Sequence, residues 1–126
     1  MRALNRILAL IVLTVSLVSC AHHAVVAGDT ERGLASWYGS NYQGHKTASG
    51  ERFNMNGLTA AHKTLPMNSI VRVKSLTTGK EVSVRINDRG PYGQNRIIDL
   101  SYAAAQRLGI DRTGMDLVEI QVVSVP

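Results

Sequence analysis

Alternating apolar and polar positions recur along most of the chain and predict a protein made mainly of short β-strands. Residues 81–87 alternate most regularly, with valine or isoleucine on one face and polar residues on the other. Residues 70–76 alternate in the same way, and a glycine-containing turn at 77–80 joins the two runs into a predicted hairpin. Weaker runs predict further strands at residues 34–38, 58–62, 96–100 and 117–125.

One short helix is predicted just before the last strand. Ser101 can cap an alanine-rich helix over residues 102–108, and Gly109 stands where a helix-terminating glycine belongs. Five or six short strands and one helix within about 90 residues favour a small closed barrel, because closure removes exposed strand edges. The pattern leaves the order of the strands open.

The N-terminal segment has a different character. Arg2 and Arg6 precede a continuous apolar run over residues 7–18, which ends in small residues. This pattern is typical of a secretory signal sequence, here residues 1–19. The apolar run is shorter than the roughly 20 residues that a membrane-spanning helix needs.

Cys20 is the only cysteine, so an internal disulfide is excluded. The segment Leu17–Cys20 resembles the lipobox of bacterial lipoproteins, which implies lipidation of Cys20 and a stable membrane anchor. Ala21, rather than aspartate, follows the cysteine, and in such lipoproteins this favours the outer membrane. We therefore expect a lipid-anchored protein on the periplasmic face of the cell envelope.

The remainder divides into a tether over residues 20–32 and a barrel domain over residues 33–126. The tether shows no sustained periodicity. Its last 12 residues span at most about 40 Å when fully extended, so the domain works close to the membrane.

The charge balance is mildly basic. The formal net charge is +5, and removal of residues 1–19 lowers it to +3, since Arg2 and Arg6 leave with that segment. This excess suits an anionic, wall-like substrate. It is too weak and too dispersed to predict a nucleic-acid partner.

Several chemistries find no support in the motifs. The chain has no phosphate-binding glycine loop and no serine-nucleophile motif. Its four histidines lack the spacing of metal ligands, so we predict neither a metal nor another cofactor.

Three carboxylates are better candidates for chemistry. Glu51 lies in a polar loop, and Asp88 and Asp99 lie at the ends of predicted strands. Acid–base cleavage of a glycosidic bond needs a carboxyl group beside the leaving oxygen. On spacing alone, each of the three has another explanation: Asp99 can cap the helix, Asp88 can pair with a nearby arginine, and Glu51 can be a solvated loop residue.

An ordered set of short motifs makes the prediction more specific. Together these motifs resemble the rare lipoprotein A family of septal-ring lytic transglycosylases, over residues 33–123. The resemblance implies a six-stranded double-psi β-barrel, related in fold to expansins. The motifs are Ala-Ser-Trp-Tyr-Gly at 35–39, Thr-Ala-Ser-Gly-Glu at 47–51, Leu-Thr-Ala-Ala-His at 58–62, Thr-Leu-Pro at 64–66, Val-Arg-Val at 71–73, Asn-Asp-Arg-Gly-Pro-Tyr at 87–92 and Arg-Ile-Ile-Asp-Leu-Ser at 96–101.

The resemblance also implies roles for individual residues. Asp88 matches the general acid that protonates the oxygen between N-acetylmuramic acid and N-acetylglucosamine, and Glu51 matches a second catalytic acid in the same groove. Trp37 is explained equally well as a core aromatic. The residues implied to bind or orient the glycan are His62, Asp99, Trp37, Tyr38, Tyr92 and Arg89.

The implied reaction is not a hydrolysis. The C6 hydroxyl of the sugar attacks its own C1, which leaves a 1,6-anhydro end, and one acid then serves as the base. Asp88 or Glu51 must be protonated near neutral pH for this, and burial or a neighbouring carboxylate would raise the pKa that far.

Two other functions fit the same sequence. One is a non-catalytic, expansin-like protein that binds peptidoglycan during wall remodelling, and the other is a lipoprotein that binds proteins of the division machinery. Many relatives carry an additional sporulation-related repeat domain. Without it in this sequence, septal targeting and a preference for peptide-stripped glycan stay open.

Overall fold

The computed structural model describes residues 24–93 and 95–126. The predicted signal sequence and Cys20 lie outside this part. In the described part, no helix is both long and apolar enough to cross a membrane. The elements, in chain order, are β1 (Thr30–Tyr38), a 3₁₀ helix (Ser40–Tyr42), β2 (Thr59–His62), β3 (Ile70–Ser75), β4 (Glu81–Asp88), β5 (Arg96–Ser101), α1 (Tyr102–Leu108) and β6 (Met115–Ser124).

The six strands form one closed barrel, in the order β1-β5-β2-β4-β3-β6. The β1–β5 and β2–β4 pairs are parallel, and the other four pairs are antiparallel. Every strand has two neighbours, so the barrel has no open edge. The predicted fold, a six-stranded double-psi β-barrel with one short helix, is confirmed.

The barrel interior is filled by the apolar positions of the alternating runs. The inward positions of β3, β4 and β6 are at most 6% exposed, which confirms the predicted faces of the hairpin and of the last strand. Helix α1 packs Ala104, Ala105 and Leu108 against the same core. Ser101 caps this helix by accepting a hydrogen bond from the Ala104 amide at 3.2 Å, and Gly109 ends it with a positive φ of 75°, both as predicted.

Strand β1 begins three residues before the expected start of the domain. Residues 30–32, which we assigned to the tether, pair with β6, and Arg32 Nε lies 2.6 Å from a carboxylate oxygen of Glu119. These residues are exposed, so they carry no apolar alternation by which the sequence could mark a strand. Strand β6 also begins earlier than predicted, at Met115 instead of Leu117.

Candidate functional site

The ends of β1, β4 and β5 meet at a surface groove made of two adjoining recesses, which share Tyr38, Tyr42 and Asp99. We call it the carboxylate groove. Asp88 and Arg89 lie in one recess, and Arg96 lies in the other. Its further lining residues are Trp37, Gly39, Ser40, Asn41, Ala61 and Tyr92.

Asp88 is the last residue of β4 and is half-buried in the groove. Its Oδ1 accepts hydrogen bonds from the Ala48 amide at 2.9 Å and from the Arg89 amide at 2.8 Å. In the described part of the chain, no hydrogen-bond donor reaches its Oδ2. The backbone therefore fixes one oxygen and leaves the other for chemistry in the groove.

The loop after Asp88 turns sharply at Gly90. Its φ of +119° lies in a region that side chains other than glycine rarely adopt, and the following peptide bond to Pro91 is cis. The turn carries Tyr92 to the groove, where its side chain is 88% exposed. Tyr92 thus has the free ring face that the predicted stacking role requires.

Asp99 lies in both recesses and is held by two side chains. Its Oδ1 accepts a hydrogen bond from Ser36 Oγ and another from Arg96 Nη1, which lies 2.9 Å away. Arg96 Nη1 also donates to Ser36 Oγ at 2.6 Å. The parallel pairing of β1 with β5 sets Ser36 directly opposite Asp99 and so builds this cluster.

The neighbouring aromatic residues Trp37 and Tyr38 line the groove and also pack against other aromatic side chains of the domain. Trp37 is half-buried against the core, and its ring centroid lies 5.2 Å from that of Tyr102. The Tyr38 ring lies 4.4 Å from Phe53 and 5.6 Å from Tyr42. Phe53 takes up one side of the Tyr38 ring, so Tyr38 is less suited than Tyr92 to stack on a sugar.

Glu51 does not line the carboxylate groove. Both of its carboxylate oxygens accept hydrogen bonds from the Arg85 guanidinium, at 2.8 and 3.1 Å. These bonds lower the pKa of Glu51, and only its slight burial acts in the opposite direction. The pairing with Arg85 thus favours the charged form of Glu51, which argues against Glu51 as the one of the two carboxyl groups that is protonated near neutral pH.

The loop that carries Glu51 nevertheless contributes to the site. Its first residue, Thr47, donates its amide to the Glu51 carbonyl and closes a compact turn. Ser49 N donates to the Asn87 carbonyl, and Ala48 N donates to Asp88. The motif at 47–51 thus holds the general-acid candidate in place through its backbone.

His62 lies on the far side of β2, outside the carboxylate groove. It lines a separate pocket with Glu31 and Leu65. The ring is buried, its Nδ1 accepts from the amides of Thr64 and Leu65 at 3.1 and 3.0 Å, and its Nε2 lies 3.1 Å from a carboxylate oxygen of Glu31. His62 therefore lies outside the groove in which the resemblance places it, and the carboxylate that its ring contacts is that of Glu31.

His62 is connected to the groove through Arg89. Arg89 Nη1 donates to the carbonyls of His62 and Leu65, at 3.2 and 2.7 Å. The Arg89 amide in turn donates to Asp88. The His62 ring shapes the turn over residues 62–65, and that turn holds the residue next to the general-acid candidate.

Three residues with a part in the site were not predicted from the sequence: Tyr42 and Arg96 line the groove, and Ser36 hydrogen-bonds to Asp99. Tyr42 lies in a polar loop without periodicity. Arg96 lies on β5 three residues before Asp99, within the motif at 96–101, so this local pair was open to prediction. Ser36 meets Asp99 only because β1 pairs with β5, and a contact between distant strands is not visible in sequence.

The fold and the groove together define a class of protein: a small double-psi β-barrel with aspartates in an open surface groove. Among solved structures, the chain is similar to a Streptomyces papain inhibitor, with a TM-score of 0.65, 21% identity and coverage of 80% of this chain and 100% of the inhibitor. It is also similar to a Clavibacter michiganensis expansin, with a TM-score of 0.61, 21% identity and coverage of 78% of this chain and 52% of the expansin. These similarities show the fold alone.

The family is shown by sequence. The family model described as lytic transglycolase matches residues 30–120, and the chain belongs to this family. It is 50% identical over 99 residues to the endolytic peptidoglycan transglycosylase RlpA of Campylobacter jejuni, and 55% identical over 98 residues to that of Neisseria meningitidis. The matches cover 79% and 78% of this chain but only 36% and 41% of the relatives, so the chain spans about 40% of their length.

Proposed function

We propose that this chain is a lytic transglycosylase that cleaves the β-1,4 bond between N-acetylmuramic acid and N-acetylglucosamine in peptidoglycan. The observation that supports this proposal most directly is the environment of Asp88. Its carboxyl group lies in an open groove, and two backbone amides fix one of its oxygens. Membership in the lytic transglycolase family and the names of the relatives support the same reaction.

In the proposed first step, protonated Asp88 gives its proton to the glycosidic oxygen as the bond from C1 to that oxygen breaks. The C6 hydroxyl of the same sugar then forms a bond to C1, and its proton returns to the Asp88 carboxylate. One residue is thus acid and then base, and no water is consumed. The Asp99 carboxylate, paired with Arg96, is a fixed negative charge that stabilises the positive charge developing on the sugar.

The exposed ring of Tyr92 and the half-exposed ring of Tyr42 are the proposed stacking surfaces for the glycan. Arg89 lines the groove, but its Nη1 is used by two backbone carbonyls, so we assign it to holding the loop beside Asp88.

The test uses the full chain in detergent, incubated with intact and with amidase-treated peptidoglycan. Mass spectrometry of the products should reveal 1,6-anhydro-muramyl ends. Asp88→Asn should reduce their rate of formation at least about 100-fold, since a positioned acid contributes roughly 10²- to 10⁴-fold. The matched control is Asp111→Asn, in the loop after α1 and outside the groove, which should keep wild-type activity.

A second candidate is a glycan-binding protein without catalysis. The similarity in fold to an expansin and the exposed aromatic rings along the groove favour it. In the same experiment it predicts binding to both substrates with no anhydro product from either. That result would exclude the enzymatic proposal.

We also propose that the protein is lipidated at Cys20 and held on the periplasmic face of the outer membrane, where peptidoglycan is within reach. The supporting feature is the lipobox-like segment Leu17–Cys20, which lies outside the described residues. Cys20→Ser should move the protein from the membrane fraction to the soluble fraction and remove the acyl mass from its N-terminal peptide. A wild-type protein without acyl mass would contradict the proposal.

A further inference from the structure

The Tyr38 hydroxyl is a buried polar group whose position calls for an explanation. Its oxygen is inaccessible to solvent, and within the described part of the chain it has no hydrogen-bond partner. A buried hydroxyl without a partner typically costs about 1–3 kcal/mol of stability. A phenylalanine ring would make the same contacts with Phe53 and Tyr42 at no such cost.

The surroundings of this hydroxyl are acidic. Tyr38 lies in both recesses of the carboxylate groove, together with Asp99 in both and Asp88 in one. Burial first, then the charge of Asp88, and then that of Asp99 raise the pKa of the phenol well above its ordinary range. Tyr38 therefore keeps its proton near neutral pH, where its hydroxyl is a hydrogen-bond donor.

The two carboxylates differ in the partners that already hold them. Asp99 Oδ1 accepts from Ser36 and from the cation Arg96, whereas Asp88 Oδ1 accepts from two neutral backbone amides. Within the described residues, Oδ2 of each carboxylate receives no hydrogen bond. A charge that forms on Asp88 therefore has no cationic partner, so a further hydrogen-bond donor contributes more at Asp88 than at Asp99.

We propose that Tyr38 is a positioning residue that donates a hydrogen bond to the Asp88 carboxylate formed when Asp88 gives up its proton. This inference rests on the proposed function and adds a residue to its mechanism. Asp88 protonates the glycosidic oxygen as the bond to C1 breaks, and Tyr38 keeps its own proton while it stabilises the new charge. The bond strengthens as the charge develops, so it lowers the barrier more than it tightens substrate binding.

The test compares wild type, Tyr38→Phe and the control Tyr102→Phe, each as the full chain acting on soluble glycan strands. Tyr102 is a matched tyrosine whose hydroxyl accepts from Gln106 Nε2 at 3.0 Å and does not line the groove. Tyr38→Phe should lower kcat about 10- to 100-fold and leave KM within about twofold. Its thermal unfolding midpoint should equal or exceed that of wild type, because an unpartnered buried hydroxyl is removed.

The pH profile gives a readout that a purely structural role would not move. A hydrogen bond to the charged carboxylate favours that form, so its loss lets the acid keep its proton to higher pH. The alkaline limb of the kcat profile should therefore shift upward in Tyr38→Phe and stay in place in Tyr102→Phe. An unchanged kcat and profile, or a loss of kcat with a lower unfolding midpoint, would overturn the assignment of Tyr38. Absence of anhydro product from wild type would instead refute the proposed function, and the role of Tyr38 would fall with it.

Discussion

At the scale of single residues, three carboxylates that are equally good candidates in the sequence have different partners in the structure. Glu51, Asp88 and Asp99 all lie in family motifs, yet Glu51 is paired with Arg85, Asp99 with Arg96, and Asp88 with backbone amides alone. Arginine partners already engage two of the three carboxylates. Asp88 is the general-acid candidate that lies in the groove and has no cationic partner in the described part of the chain.

Glu51 should contribute to stability rather than to proton transfer. Its pKa is lowered in the folded state, so the stabilisation is present above the ordinary glutamate pKa of about 4.3 and is lost as the pH falls through the folded value. We expect Glu51→Gln to cost about 0.5 kcal/mol at pH 7, since the pair is substantially exposed, and less than that at pH 2.5. Urea unfolding at both pH values checks this.

The same variant distinguishes the two roles of the residue. Glu51→Gln should keep most of its activity near pH 7 if the backbone of the 47–51 loop is what holds Asp88. A loss as large as that of Asp88→Asn, with the fold intact, would instead restore Glu51 as a catalytic acid.

At the scale of elements, the site depends on how β2 and β4 are joined. The two strands are parallel neighbours, and Ala61 pairs with Asp88. Just beyond this pair, the turn after His62 accepts the Arg89 guanidinium. The buried ring of His62 thus holds the turn over residues 62–65, and this turn holds the loop that begins at Arg89, directly after Asp88.

His62→Ala should therefore destabilise the barrel and reduce activity. It leaves the amides of Thr64 and Leu65 without their acceptor, which costs about 2 kcal/mol or more. His62→Asn is the matched variant, because its side-chain oxygen can replace Nδ1 as acceptor. We expect it to recover part of the lost stability in thermal unfolding. An equal loss of thermal stability in both variants would show that the hydrogen bonds to His62 Nδ1 do not stabilise the barrel.

At the scale of the whole molecule, β1 ties the N-terminal part of the domain into the barrel. Its first residues pair with β6, and a carboxylate oxygen of Glu31 lies 3.1 Å from His62 Nε2 at the end of β2. The pairing that closes the barrel thus extends over residues 30–32, which the hydrophobic pattern assigns to a tether.

Two truncated chains test this boundary. A chain that begins at Gly28 retains all of β1, whereas one that begins at Gly33 lacks the pairing of residues 30–32 and the Glu31 carboxylate. We expect the shorter chain to unfold at a temperature several degrees lower, since about 1 kcal/mol shifts the midpoint of a 100-residue domain by 4–8 °C. Equal midpoints in calorimetry would place the boundary at residue 33 after all.

The six strands and their double-psi connection were predicted only through the resemblance to a known family. The pattern of the sequence by itself determined a small closed barrel of five or six strands, the inward faces of β3, β4 and β6, and the capped helix. These follow from alternation and from local capping, which act between near neighbours along the chain. It also singled out Asp88 through its motif. Only the tertiary structure decided that Asp99 meets Ser36, that Glu51 is taken by Arg85 and that His62 lies outside the groove. Each of these depends on a contact between residues far apart in sequence, and such contacts produce no periodic pattern of residue types along the chain.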